Sequence, residues 1–178
     1  MTNFLMNQRS NMIAYSDIRG DDASLDWKKR SQQHARTAGE IMPENSIPLE
    51  DRAAIWDLIA RYSFAIDSRD VEAVLACYTD EAEFRSADGA MHAQGKAALR
   101  AMLTQELPRA KFQNHVMHHN LTTPGVCKDS ANGLVSAHVE LDYGSGMQIF
   151  SARYEDLYAR SSGEWRFQRR QITFLNAP

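Results

Sequence analysis

Apolar residues in this chain keep a helical spacing as far as Pro108 and a two-residue alternation after it, so helices must come first and strands follow. Ile55, Leu58, Ile59, Tyr62 and Ile66 recur at three- and four-residue steps, which predicts an amphipathic helix over roughly Leu49–Ile66. Asp67-Ser68-Arg69-Asp70 breaks that stripe. Val71, Val74, Leu75 and Tyr78 then mark a short second helix through about Cys77. Glu83-Phe84-Arg85 reads as a brief strand before an Asp88-Gly89 turn. Gly95 opens a third helix, with Leu99, Met102 and Leu103 on one face, that ends by Pro108.

Beyond Pro108 the expected strands are Phe112–Thr122, Gly133–Tyr143, Met147–Ala159 and Glu164–Leu175. Gly144-Ser145-Gly146 and Ser161-Ser162-Gly163 separate the last three as hairpin turns. Val135, Ala137, Val139, Leu141 and Tyr143 alternate with more polar neighbours, as in a half-buried strand. In the last strand the apolar phase passes from Trp165 and Phe167 to Ile172 and Phe174. Such a phase change implies a bulge, and a bulge bends a sheet. The expected class is α+β: a curved antiparallel sheet wrapped on three N-terminal helices, a cone-shaped barrel with a pocket between the layers.

Composition narrows the function. Among 178 residues, 43% are apolar and 24% charged, ordinary for a soluble globular chain. The net charge of −3 comes with no basic run, so no nucleic-acid partner is expected. No apolar stretch approaches a membrane span, and the N-terminus lacks a basic segment leading into an apolar core; a cytoplasmic chain off the membrane is expected. Cys77 and Cys127 make neither a disulfide framework nor a zinc motif. Residues 1–48 are polar and end in Met42-Pro43-Glu44-Asn45-Ser46-Ile47-Pro48, which reads as a flexible arm and linker before a domain over 49–178. Met6, Met12 and Met42 are alternative starts, and a clamp on a neighbouring subunit is the functional alternative for the arm.

The chemistry concentrates in Asn114-His115-Val116-Met117-His118-His119 and in Asp67, just past the first helical run. Imidazole takes and returns a proton near neutral pH, and a carboxylate fixes its tautomer. A His–Asp pair in an apolar pocket would move protons without metal or covalent nucleophile. Asp67 could instead cap the second helix. On a regular strand His115, Met117 and His119 share one face, while Asn114, Val116 and His118 share the other. Which imidazole meets the pocket is therefore open. A His-x-x-His-His zinc face would need a helix, and a strand divides it, so no metal is expected. The serines lack a nucleophile-elbow context and no Gly-rich phosphate loop follows a strand, so acyl transfer and nucleotide cofactors are unsupported. Trp56, Tyr78, Phe84, Met102, Phe150 and Trp165 read as core or pocket lining.

Several segments together resemble the SnoaL-like branch of the nuclear-transport-factor-two-like superfamily. They are Asp51-Arg52-Ala53-Ala54-Ile55, Arg61-Tyr62-Ser63-Phe64-Ala65-Ile66-Asp67, Tyr78-Thr79-Asp80-Glu81-Ala82-Glu83-Phe84 and Gly95-Lys96-Ala97-Ala98-Leu99. The His-rich strand, Arg153-Tyr154-Glu155-Asp156 and Gly163-Glu164-Trp165-Arg166-Phe167 complete the set, over about Leu49 to Phe174. Members include scytalone dehydratase, a lindane dehydrochlorinase, a bile-acid dehydratase and polyketide cyclases. The resemblance implies a cone-shaped α+β barrel. It implies Asp67 in the aspartate role, Tyr62 in the tyrosine role, His115 as base and Arg170 as the family arginine. His118 and His119 stand where Thr or Asn is usual, a departure from the common pattern.

The expected catalytic set is His115, Asp67 and Tyr62, with His119, Arg170, Trp56 and Met117 binding substrate. Tyr62 and Arg170 have bland alternatives as a core ring and an exposed basic residue. The expected function is a cofactor-independent lyase, isomerase or cyclase acting on a small hydrophobic oxygenated compound, as a homodimer or homotrimer through the open sheet face. The alternative is a non-enzymatic ligand-binding or assembly module, such as the small subunit of a multicomponent oxygenase.

Overall fold

The structure is a computed structural model and describes residues 46–175. The arm expected over residues 1–48 lies outside the described residues except for Ser46, Ile47 and Pro48. Ile47 is buried with the core, so the packed domain begins two residues before the expected boundary.

Helix α1 spans Leu49–Asp67 and buries Ile55, Leu58, Ile59, Tyr62, Ala65 and Ile66, the stripe that the spacing predicts. Glu50 and Asp51 occupy its first turn, where the helix dipole favours negative charge. Asp51 also accepts from Trp165 Nε1 at 3.0 Å and from Arg160, which ties the start of α1 to the far end of the sheet. Helix α2, Val71–Ala76, is capped by Asp70, whose carboxylate accepts from the Ala73 N–H at 3.0 Å. The capping role open to Asp67 thus falls to Asp70, and Asp67 is left for other work.

Strand β1 runs over Tyr78–Ser86, longer than the brief strand expected, and pairs with a short β2, His92–Gln94. Helix α3 covers Gly95–Glu106 and a 3-10 turn follows at Leu107–Arg109. The long strands are β3 Phe112–Pro124, β4 Ser130–Asp142, β5 Gln148–Ser161 and β6 Glu164–Phe174. They form one sheet in the order β2-β1-β6-β5-β4-β3. The sheet is mixed rather than antiparallel throughout, because β1 runs parallel to β6. It is also open, with β2 and β3 at its edges, rather than a closed barrel. Local alternation carries no information on pairing direction, which long-range closure decides.

Register shifts occur at three places among the described strands: in β1 between Tyr78 and Glu83 against β6, in β6 and in β3. In β6, Leu157 pairs with Arg169 and Tyr158 with Phe167, leaving Gln168 as the extra residue, where the phase change predicts it. In β3, Met117 pairs with Ala137 and His119 with Ser136, leaving His118 unpaired. The concave face carries Val135, Ala137, Val139, Ala152, Tyr154 and Phe167, all buried in the core. No helix among the described residues is long and apolar enough to cross a membrane.

Candidate active site

The end of α1 is tied to the start of β3 at four points. Arg69 takes a left-handed backbone, φ 57°, and its guanidinium donates to the carbonyls of Ala110 at 2.7 Å and Lys111 at 3.0 Å. The Gln113 amide donates to the Ile66 carbonyl. The fourth tie is Asp67 itself. Its Oδ2 accepts from the His115 backbone N–H at 3.0 Å, and its Oδ1 lies 2.7 Å from His115 Nδ1. One carboxylate therefore holds both the strand and the ring that the strand carries. With the Nδ1 proton directed at Asp67, Nε2 keeps its lone pair and can act as a base. The side chains of His115 and Asp67 are 11% and 21% exposed, dry enough to strengthen the pair and open enough to exchange protons.

His115 lines a cavity of about 290 Å³ between the helices and the concave sheet. Apolar walls come from Phe84, Leu99, Met102, Leu103, Phe150 and Phe174. Polar groups reach it at few places: Tyr62, Tyr78 and Tyr154, together with Gln113 and His115, and also Glu106 and Tyr143. A mostly apolar chamber with a few converging polar groups is the common form of a small-molecule site. Burial pushes the Tyr62 hydroxyl above its ordinary pKa, opposed by the Arg170 charge and a hydrogen bond from Tyr78. Burial raises Tyr78 and Tyr154 as well, so all three stand as neutral O–H groups.

Behind these rings lies a sealed ion pair. Arg170 is fully buried, with Nε donating to Asp156 Oδ1 at 2.9 Å and Nη2 to Oδ2 at 3.0 Å. Tyr158 donates to Oδ2 at 2.9 Å. The guanidinium carbon stands 4.3 Å from the Tyr62 ring centre, 4.4 Å from Tyr154 and 4.0 Å from Phe167.

The SnoaL-like domain family matches residues 48–171. The chain belongs to that family. Solved structures agree on the architecture. A candidate aromatic ring hydroxylase from Novosphingobium aromaticivorans is 27% identical, with 73% of this chain and 92% of that one covered at a TM-score of 0.66. LinA, a hexachlorocyclohexane dehydrochlorinase, is 25% identical over 71% of this chain and 86% of its own, with a TM-score of 0.64. An NTF2-like protein with a cystatin-like fold, also from Novosphingobium aromaticivorans, is 22% identical over 89% and 94% of the two chains, at 0.62. Among curated proteins none matches.

Within this SnoaL-like domain His115 and Tyr62 line one cavity, Asp67 holds His115 from behind that lining, and the other expected site residues are parted from it. Trp56 is 42% exposed and lies outside the lining. Met117 is half-buried against the core, also outside it. His119 turns to the outer face because the bulge at His118 reverses the strand's parity; its Nδ1 contacts Ser136 Oγ at 3.1 Å. His118 meets His138 on that same face, Nε2 to Nδ1 at 3.1 Å. The three imidazoles of the His-x-x-His-His run are thereby divided between two faces. Arg170 is neither exposed nor in contact with the cavity, but sealed one ring behind it. Sequence reasoning missed Tyr154, Gln113 and Asp156. An aspartate on the inward face of β5, between Tyr154 and Tyr158, was the available signal, since a buried carboxylate demands a partner.

Proposed function

We propose that this SnoaL-like chain is a lyase-type enzyme that works without a cofactor on a small, hydrophobic, oxygenated molecule. His115 Nε2 removes a proton from a carbon beside an electron-withdrawing group. The electron pair moves onto that group's oxygen or expels a leaving group from the next carbon, and the imidazolium returns the proton to oxygen, carbon or the departing anion. Asp67 holds Nδ1–H and steadies the imidazolium that forms. Tyr62 donates to the oxygen on which charge develops. The observation that carries this reading is the clamp: one carboxylate fixes both ring and backbone of a histidine inside an apolar chamber. The likeness to LinA, named for a dehydrochlorination, supports elimination as the reaction type.

5-Nitrobenzisoxazole tests the base without knowledge of the natural substrate. Removal of the isoxazole-ring C–H proton breaks the N–O bond and releases a coloured cyanonitrophenolate. The wild-type protein is expected to open the probe above the buffer rate. His115→Ala and Asp67→Asn should each lose ~10²–10⁴ of that acceleration, the usual contribution of general-base catalysis. Asn at 67 is informative because its amide can present N–H to Nδ1 and select the wrong tautomer. Full activity in both variants would remove the base assignment.

A second reading draws on the likeness to the candidate ring hydroxylase: an assembly subunit of a multicomponent oxygenase. Obligate co-purification with a larger iron protein, together with an inert probe, would favour it. Either reading extends to a cytoplasmic homodimer or homotrimer, supported by exposed Val116, Leu121 and Leu134 on the outer sheet face and read out by light scattering.

A further inference from the structure

We propose that Arg170 is a positioning residue of this cavity: held by Asp156 behind the floor, it acts through Tyr62, whose hydroxyl binds a phenolate or enolate oxygen. The proposal rests on reading the cavity as a reaction chamber, and it assigns Asp156, Tyr78 and Tyr154 to the same device.

The ion pair is lopsided. Asp156 has a donor on each oxygen, with Oδ1 taking Arg170 Nε and Oδ2 taking both Nη2 and the Tyr158 hydroxyl. Arg170 is left unsatisfied, because its Nη1 is buried without a hydrogen-bond partner. An unsatisfied buried donor is costly and calls for a reason. Here the excess positive end lies against Tyr62 and Tyr154, guanidinium carbon to ring centre 4.3 and 4.4 Å, and both rings line the cavity. A ligand in the chamber is therefore one aromatic ring from a cation that water never reaches. At that depth screening is weak and the field of a fixed charge persists.

The tyrosines convert that field into a contact. Tyr62 and Tyr78 meet edge to face at 6.1 Å between ring centres, and both line the cavity. A hydroxyl donor beside a positive charge is a stronger donor. Other charged or titratable groups facing this cluster are Asp156, Tyr154, Tyr158 and Asp67, whose negative charge is felt at Tyr154. The floor tyrosines and His115 line the same cavity. A proton leaves carbon toward the histidine while negative charge collects on oxygen toward Tyr62.

The experiment uses 4-nitrophenol as an oxyanion probe and 4-nitroanisole as its neutral counterpart. The wild-type protein and His115→Gln are titrated with both, and bound phenolate is read from its absorbance across pH. His115→Gln removes the base, so phenolate bound there owes nothing to proton transfer to histidine. In both proteins the bound phenol should ionise more readily than the free phenol, by on the order of ten-fold in its dissociation constant, the scale of one hydrogen bond to a charged group. Tyr62→Phe keeps the ring and the ion pair and should abolish that preference while still binding 4-nitroanisole. Single changes at Arg170 leave Asp156 stranded, so the matched double variant Asp156→Leu/Arg170→Met is used, and it too should lose the preference. A preference absent from the wild-type protein, or unchanged in Tyr62→Phe, overturns the proposal. One lost in Tyr62→Phe but kept in the double variant overturns the role of Arg170. One lost only in His115→Gln assigns the effect to the histidine, overturning the floor while leaving the base reading of 5-nitrobenzisoxazole turnover intact.

Discussion

Asp67–His115 and Asp156–Arg170 are both carboxylate–nitrogen pairs beside one cavity, yet they differ in what they leave free. Asp156–Arg170 has side chains 0% exposed and a partner that holds its charge at any accessible pH. Asp67–His115 is partly open, at 21% and 11%, and its partner can lose its proton. A third pair, Asp51–Arg160, is similarly open at 17% and 31% but lies at the other end of α1, away from the cavity lining. Burial and titratability together sort the three: a fixed field, a proton carrier and a clasp. Changing each pair in turn breaks or sharpens that ordering.

The sealed pair should give the largest effect on stability. Removing one partner, as in Arg170→Met or Asp156→Ala, strands the other charge and is expected to cost about 3–5 kcal/mol. Asp156→Leu/Arg170→Met, which removes both, should recover most of that. Thermal or denaturant unfolding of the three proteins checks it; a double variant as unstable as the singles would mean that the pair itself holds the fold. At the dyad the ordering reverses. His115→Ala and Asp67→Asn should lose the catalytic factor given above while changing stability far less, because water reaches both groups.

The clasp contributes about 1 kcal/mol in its ionised form, being partly exposed. Burial raises the Asp51 pKa, but hydrogen bonds from Trp165 and Arg160 outweigh it and leave the carboxyl below its ordinary value of 3.8. A depressed folded-state pKa stabilises the fold well above 3.8, and the contribution is lost as pH falls below that value toward the lower folded one. Wild-type protein should therefore exceed Asp51→Asn in stability at neutral pH, by an amount that shrinks on acidification through this window. A difference that stayed constant with pH would show that the Asp51 charge contributes nothing.

How much of this was legible in the sequence depended on contrast between neighbours. The helix stripe of α1 and the β6 bulge stood out because apolar residues changed phase against polar ones at Trp165, Phe167, Ile172 and Phe174. The β3 bulge did not, because Asn114, His115, His118, His119 and Asn120 offer too little apolar contrast to betray a phase. The parallel pairing of β1 with β6 joins residues some ninety positions apart, such as Tyr78 and Phe167, and only closure of the chain decides it. The choice of His115 among the imidazoles of the His-rich strand came from the family resemblance, whereas Asp67 could be singled out from the residues as a partner for that strand. The lopsided ion pair could not, since it depends on Asp156 and Arg170 lying opposite each other on adjacent strands.

The smallest expected effect tests the strand that carries the base. His115 lies inside, and the extra residue at His118 sends His119 outward, so three imidazoles within five positions have two different fates. His118→Ala and His119→Ala remove exposed side chains whose contacts are with His138 and Ser136 on the outer face. Each should change stability by no more than about 0.5 kcal/mol and leave 5-nitrobenzisoxazole turnover at the wild-type rate. Deleting His118 removes the bulge and its local bend but should leave each later β3 residue on its present face, because Met117 pairs with Ala137 and His119 with the very next residue, Ser136. In that deletion His119 should stay outward and Thr122 buried. A loss of fold on deletion with neutrality on substitution would show that His118 matters as an added length of backbone rather than as an imidazole. Loss of turnover in His119→Ala would instead return that histidine to the site and contradict the parity the bulge imposes.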